Sequence, residues 1–205
     1  MRLRGYNRGA MKPQSTARAK LPAAVVMLGV VSFFTDVGSE MIYPLIPVFV
    51  SLLGSGVVVL GVIEGVAEAT ASLLKLASGV LSDRLRKKKV FAVIGYSISS
   101  AFRPLAAIVS RAWQIVPVRL ADRIGKGIRT SPRDALIAAH VDPSIRGRAF
   151  GFHRAMDHAG AVLGPLLTVL ALGLLLRFSR VSSMLTALRW TFALSLIPGM
   201  LAVLV

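Results

Sequence analysis

The sequence predicts an all-helical protein embedded in a membrane, and two observations carry that prediction. Hydrophobic residues make up 55% of the 205 residues and charged residues only 17%, whereas a soluble domain is about one-quarter charged. Apolar runs of about twenty residues recur along the chain, and as a helix a run of that size spans the roughly 30 Å core of a bilayer. A membrane barrel would instead need alternating segments of about ten residues, and the sequence has no such pattern.

The elements follow in order. Residues 1–22 form a basic tail holding Arg2, Arg4, Arg8, Lys12, Arg18 and Lys20, with no acid among them. The apolar residues after it run on to Val50 with no small-residue cleavage site to stop them. That favours an uncleaved first helix over a removed signal. Helices are predicted at about 23–50, 57–81, 90–109, 113–140, 150–176 and 188–205. The first ends in "YPLIPVF", and the second and third are joined by "SDRLRKKK". The domain plan is thus a tail followed by a six-helix bundle over 23–205.

Charge gives the orientation. Thirteen Lys and Arg fall on the tail and the second–third and fourth–fifth loops, and four fall on the other side. Cytoplasmic loops carry that excess, so the N-terminus is expected in the cytoplasm and the chain in the plasma (inner) membrane. Trp113 and Trp190 then sit at outer ends, as interfacial anchors do. The net charge of +16 is therefore read as loop charge and not as a nucleic-acid surface. The chain has no Cys, which excludes disulfides, thiolate metal sites and Cys nucleophiles. His140, His153 and His158 lack metal spacing and read as ordinary interfacial residues. No metal or cofactor is expected.

The remaining bases lie at membrane depth: Lys75, Arg103, Arg119, Arg123, Lys126, Arg129, Arg133 and Arg154. Each costs roughly 2.5–3.5 kcal/mol at a helix centre unless it meets water or a partner. Within "RLADRIGKGIRTSPRDAL" (119–136), Arg119, Asp122, Arg123, Lys126, Arg129 and Arg133 recur every three or four residues, so they share one helix face. Such a stripe predicts a wet cavity beside the fourth helix. Arg129, Arg133 and Asp134 have an alternative reading, in which the helix leaves the membrane before them. Candidate partners are Asp36 and Glu40 on the first helix and Glu64 and Glu68 on the second, each pair spaced i,i+4. The upper stripe, Arg119 to Lys126, is expected to face Asp36 and Glu40, with Arg119 and Arg123 touching substrate or holding those carboxylates ionised. Static neutralisation of buried charge is the plainer alternative.

Three motifs carry a family resemblance. "GVLSDRLRKKK" (79–89), with Gly79, Asp83, Arg84 and Lys87, resembles the second–third loop signature of the major facilitator superfamily, although Arg86 stands where that family has a second Gly. "RGRAFGFHRAMDHAGAVLGPLL" (146–167) resembles its fifth-helix motif through Gly151, Gly160, Gly164 and Pro165, with Thr168 and Val169 in place of a closing Gly pair. Gly160 and Gly164 offer a small-xxx-small packing face, and Pro165 is expected to bend the helix. "RLADRIGKG" (119–127) resembles the fourth-helix motif through Arg119, Gly125 and Gly127.

The resemblance implies two inverted three-helix repeats, with the first and fourth helices lining a path between them. It implies alternating-access transport of a small solute, with proton coupling through the helix carboxylates and with antiport or efflux favoured. It implies membrane lipid as surroundings. It also implies that the chain is the N-terminal half of a longer carrier, partnered by a missing C-terminal half or by a second copy. The basic stripe favours an anionic or zwitterionic solute. Two other classes compete: a non-transporting membrane scaffold, and an intramembrane enzyme clamping a phosphorylated lipid. "RIGKGIRTS" lacks the earlier Gly and the Lys-Ser/Thr pair of a phosphate loop, which weakens the enzyme reading.

Overall fold

A computed structural model describes residues 20–178, 181 and 183–205. The tail before Lys20, and Arg180 in the fifth–sixth loop, lie outside the described residues. Among the described residues every regular element is helical. The order is α1 (Ala23–Glu40), α2 (Ile46–Leu52), α3 (Val57–Leu85), α4 (Lys88–Phe102), α5 (Ile115–Ala139), α6 (Arg146–Phe178), α7 (Met184–Leu194) and α8 (Leu196–Leu204).

Proline explains why some predicted helices are split. The first is one apolar stretch, Ala23–Leu52, divided into α1 and α2 by a 3-10 turn at Tyr43–Leu45 with Pro44 inside it. A proline has no N–H to continue the ladder. In the same way Pro104 follows α4 and opens a 3-10 turn over Arg103–Ile108. Pro198 lies in the first turn of α8, where its lost N–H is not needed. Pro165 is different: α6 runs unbroken through it.

Three boundaries differ from expectation by about a turn, one of them the start of α7 at Met184 where 188 is predicted. α3 continues through the charged Ser-Asp-Arg-Leu to Leu85, and α6 begins at Arg146. α3 is closed by Arg86, whose φ of 53° is left-handed. That is the conformation a glycine adopts freely at a helix end and other residues adopt at a cost. Arg86, which stands where the family pattern has a Gly, thus makes this helix stop with a side chain.

Ala23–Leu52, Lys88–Ile108, Pro143–Arg177 and Met184–Leu204 are long and apolar enough to cross a membrane. α3 and α5 have 29 and 25 residues, and at 1.5 Å per residue both exceed the roughly 30 Å apolar core in length. Burial is inverted relative to a soluble protein. Large apolar side chains point outward, among them Val58, Val62, Leu73 and Leu76 of α3 and Val162, Leu166 and Val169 of α6. Inside, two apolar clusters lie at opposite ends of the helices. One gathers Ile46, Phe49, Ile63, Ile115 and Phe192, and the smaller one gathers Val25, Ile137, Val141 and Ala149. Between them the interior is polar, with buried Thr35, Ser99, Arg103, Arg119, Asp122 and Arg129.

α5 packs chiefly on α3 and α4, and α1 on α6. Glycines allow this closeness. A Cβ added at Gly95 would stand 2.6 Å from the Gly125 carbonyl oxygen, and one at Gly125 would stand 2.6 Å from that of Gly95. At Gly127 it would meet the Ala71 carbonyl oxygen of α3 at 2.7 Å. Small residues at such crossings are how helices approach closely in a membrane.

Candidate functional site

The charged face of α5 supplies the site's frame. Arg119 grips Glu64 of α3 with both edges of its fork: Nε donates to Oε1 and Nη2 to Oε2, each at 2.8 Å. This is the bidentate geometry that favours arginine. Its Nη1 also lies 3.6 Å from Asp122 Oδ2, and its guanidinium stands 4.8 Å from the centre of the Tyr43 ring. Asp122 in turn accepts from Arg103, with Nε at 3.1 Å and Nη2 at 2.8 Å on Oδ1. Arg103 Nη1 donates to the Thr35 carbonyl of α1 at 3.0 Å. Glu64, Arg119, Asp122 and Arg103 thus form a chain of alternating sign with zero net charge. That arrangement is how four ionisable groups tolerate burial.

A cavity of about 310 Å³ opens beside this chain. α1 lines it with Asp36, Ser39 and Glu40, and Tyr43 follows. α5 lines it with Asp122, Arg123, Lys126 and Arg129; Arg103 and Ala161 complete the wall. The structure therefore brings Asp36, Glu40, Asp122, Arg123 and Lys126 to one space. Arg119 is not among its lining residues, and its partner is Glu64, not the α1 carboxylates. Arg123 lies 3.9 Å from Glu64 and 3.6 Å from Glu68, with its guanidinium 5.6 Å from the Tyr43 ring centre.

Glycines of α6 seat the α1 carboxylates. A Cβ on Gly160 would lie 3.1 Å from the Asp36 Cβ, and one on Gly164 2.7 Å from the Glu40 Cβ. α6 therefore presses directly on the backbone that carries both acids. Gly151 takes no part in this contact, because nothing lies within 4 Å of its Cβ position. Thr168, which replaces a family glycine, donates to the Met41 carbonyl at 2.9 Å. That carbonyl needs a donor: Pro44 has no N–H, and the Leu45 N–H goes to Ile42.

At the α3–α4 loop Asp83 pairs with Lys88 at 3.0 Å. Lys88 opens α4, so the acid also lies at a helix N-terminus, where negative charge is favoured. Gly79 lies against the Ser131 side chain of α5, its Cβ position 3.2 Å from the Ser131 Cβ. Arg84 and Lys87 are exposed.

Several participants have partners that the sequence alone does not give. Arg103 was visible as a base at depth, but its role as the anchor of Asp122 was not. Arg129 does not leave the bundle: it is 5% exposed, donates to Ser99 Oγ at 2.6 Å, and lies 4.8 Å from the Tyr96 ring centre. Arg133 is also buried, donating to Asp134 at 2.9 Å. At Arg129 the α4 backbone comes close, the Gly95 Cβ position lying 2.6 Å from the Arg129 Cβ. His153, read as interfacial, is 1% exposed and lies 3.7 Å from Asp157. Among the described residues no cluster of His, Asp and Glu could hold a metal.

Comparison with known proteins follows the same lines. The family model of the Major Facilitator Superfamily matches residues 28–205. An uncharacterized MFS-type transporter of Methanocaldococcus jannaschii is 41% identical over 152 residues, which are 74% of this chain and 38% of that protein. An uncharacterized protein of Mycobacterium tuberculosis is 35% identical over 142 residues, 69% of this chain and 35% of its own length. The multidrug resistance protein MdtH of Escherichia coli is 30% identical over 142 residues, 69% of this chain and 34% of its length. The chain therefore spans under two-fifths of the length of these relatives. The match is to a family of membrane transporters that take small-molecule substrates, which excludes the lipid-directed enzyme. The chain belongs to the Major Facilitator Superfamily.

Proposed function

We propose that this chain is the N-terminal six-helix half of a secondary carrier that moves a small solute by alternating access. In this reading its six helical stretches form two inverted three-helix repeats. The N-terminus and the α3–α4 loop face the cytoplasm of a cell whose plasma (inner) membrane holds the protein, as the thirteen-to-four distribution of bases favours. The solute path runs between this half and a C-terminal half, with a second copy of this chain as the other possible partner. The direction is outward, which the similarity to a multidrug resistance protein supports.

The observation that carries this reading is the cavity. Asp36 and Glu40 stand on it beside Arg123, Lys126 and Arg129, at the depth of apolar helices where unpaired charge is costly. Carboxylates at such depth mark proton relays in transporters, and in this reading Asp36 and Glu40 couple proton movement to the solute.

The test uses the carrier with its C-terminal half restored, in proteoliposomes with an imposed pH gradient. Asp36→Asn and Glu40→Gln should each lose uphill uptake while retaining downhill exchange at saturating solute. If the two single variants and the double variant all drive solute uphill normally, α1 is not the proton site. Labelling of Lys88→Cys by an impermeant maleimide added outside intact cells would overturn the orientation.

A further inference from the structure

We propose that the cavity between α1 and α5 binds a small zwitterion. Its cationic group would lie on Asp36 and Glu40 and its anionic group on Lys126 and Arg129; the inference rests on the carrier reading above and adds the class of solute. The argument starts from which charges are already used. Arg119 is consumed by Glu64 and Asp122, and Arg103 by Asp122. Arg123 is shared between Glu64 and Glu68. Four charged lining groups are left. Among the described residues, Asp36, Glu40, Lys126 and Arg129 make no ion pair. Arg129 spends one N–H on the neutral Ser99 hydroxyl and its face on the Tyr96 ring, and Asp36 and Asp122 act on its charge from beyond ion-pair distance.

These four groups are sorted by helix. Both free carboxylates are on α1 and both free cations are on α5, and the same cavity touches all four. Two acids and two bases sum to zero, so the space repels a solute of either single charge from one of its walls. A solute carrying both charges satisfies both walls at once. A polar site of this kind discriminates strongly, because a missing charge leaves buried partners unpaired. Size narrows the class further. A volume of about 310 Å³ is about ten water molecules at ~30 Å³ each, which suits a solute of amino-acid size. The α1 wall is also built in place. Gly160 and Gly164 set α6 against the backbone of Asp36 and Glu40, so the acidic side of the site is not formed by adjustable loops.

The experiment is binding calorimetry on the full chain in nanodiscs of neutral lipid, with three probes of matched length: δ-aminovalerate, valerate and pentylamine. δ-Aminovalerate should bind at least about tenfold more tightly than either single-charge probe, the equivalent of one close charge pair. Lys126→Gln should weaken δ-aminovalerate and valerate and spare pentylamine. Glu40→Gln should weaken δ-aminovalerate and pentylamine and spare valerate. The comparison of probes on the unaltered chain stands even if a variant fails to fold. The proposal is overturned if valerate or pentylamine binds as tightly as δ-aminovalerate, if none of the three binds, or if a folded Glu40→Gln variant binds δ-aminovalerate unchanged. Flux is measured separately with the C-terminal half restored. Selective δ-aminovalerate binding without flux removes the carrier reading and supports the zwitterion site. Flux of a single-charge solute without δ-aminovalerate binding does the reverse.

Discussion

Replacing Arg119 with alanine removes a bidentate charge-assisted contact from the polar layer. Two N–H donors to Glu64 at 2.8 Å disappear, together with the Asp122 contact at 3.6 Å and the Tyr43 stacking. A hydrogen bond to a charged group is worth about 1.5–3 kcal/mol in water-soluble proteins, and interhelical bonds in membranes average about 0.6 with a maximum near 1.7. Glu64 is one-quarter exposed, which screens part of the pair. Taking about 1.5 kcal/mol for each of the two bonds gives a loss of about 3 kcal/mol, more than a hundredfold in the folded-to-unfolded ratio. Arg119→Lys keeps the charge and one bond, so about half that loss is expected. The assay is a double-variant cycle of Arg119→Ala and Glu64→Gln, with unfolding followed as sodium dodecyl sulfate is titrated into dodecylmaltoside micelles. The coupling energy should be about 2 kcal/mol. A coupling below about 0.5 kcal/mol, the size of ordinary additivity error, would refute the Arg119–Glu64 fork as a structural clamp.

Four further outcomes are expected from the same unfolding titration. Arg86→Gly should stabilise the chain by about 1 kcal/mol, because the left-handed stop after α3 costs a side chain about that much; an unchanged midpoint would argue against that backbone conformation. Gly125→Ala should destabilise by about 1–3 kcal/mol through overpacking, since its Cβ would meet Ser99 Oγ at 2.5 Å and the Gly95 carbonyl oxygen at 2.6 Å. Gly151→Ala, with open space around it, should be neutral or gain up to about 1 kcal/mol from helix propensity, and equal losses at the two positions would contradict the packing described. Thr168→Val should cost about 1 kcal/mol by leaving the Met41 carbonyl without its hydroxyl donor; no loss would show that water takes over that carbonyl.

The membrane class and the approximate course of the helical stretches were determined by the sequence alone, because both rest on local quantities. Apolar run length compares directly with bilayer thickness. The three-and-four spacing from Arg119 to Arg133 places those charges on one face of any helix. Proline explains the broken stretches at Pro44 and Pro104, and both residues are visible in the sequence. Partner choice is a different kind of fact. Periodicity says which side chains share a face and nothing about how far neighbouring helices rotate or slide against it. Gly95 and Gly125 bring α4 against α5, and that contact holds Arg129 inside the bundle beside Ser99. Arg119 sits on the side of α5 that meets α3, so Glu64 takes it and the α1 acids do not. Arg103 reaches Asp122 from the turn that follows α4. α6 packs closely on the backbone of Asp36 and Glu40 at Gly160 and Gly164, and both acids line the same cavity as Lys126 and Arg129. Tertiary packing decided which charges cancel and which remain free to meet a solute, because cancellation depends on distances between helices that no single segment encodes.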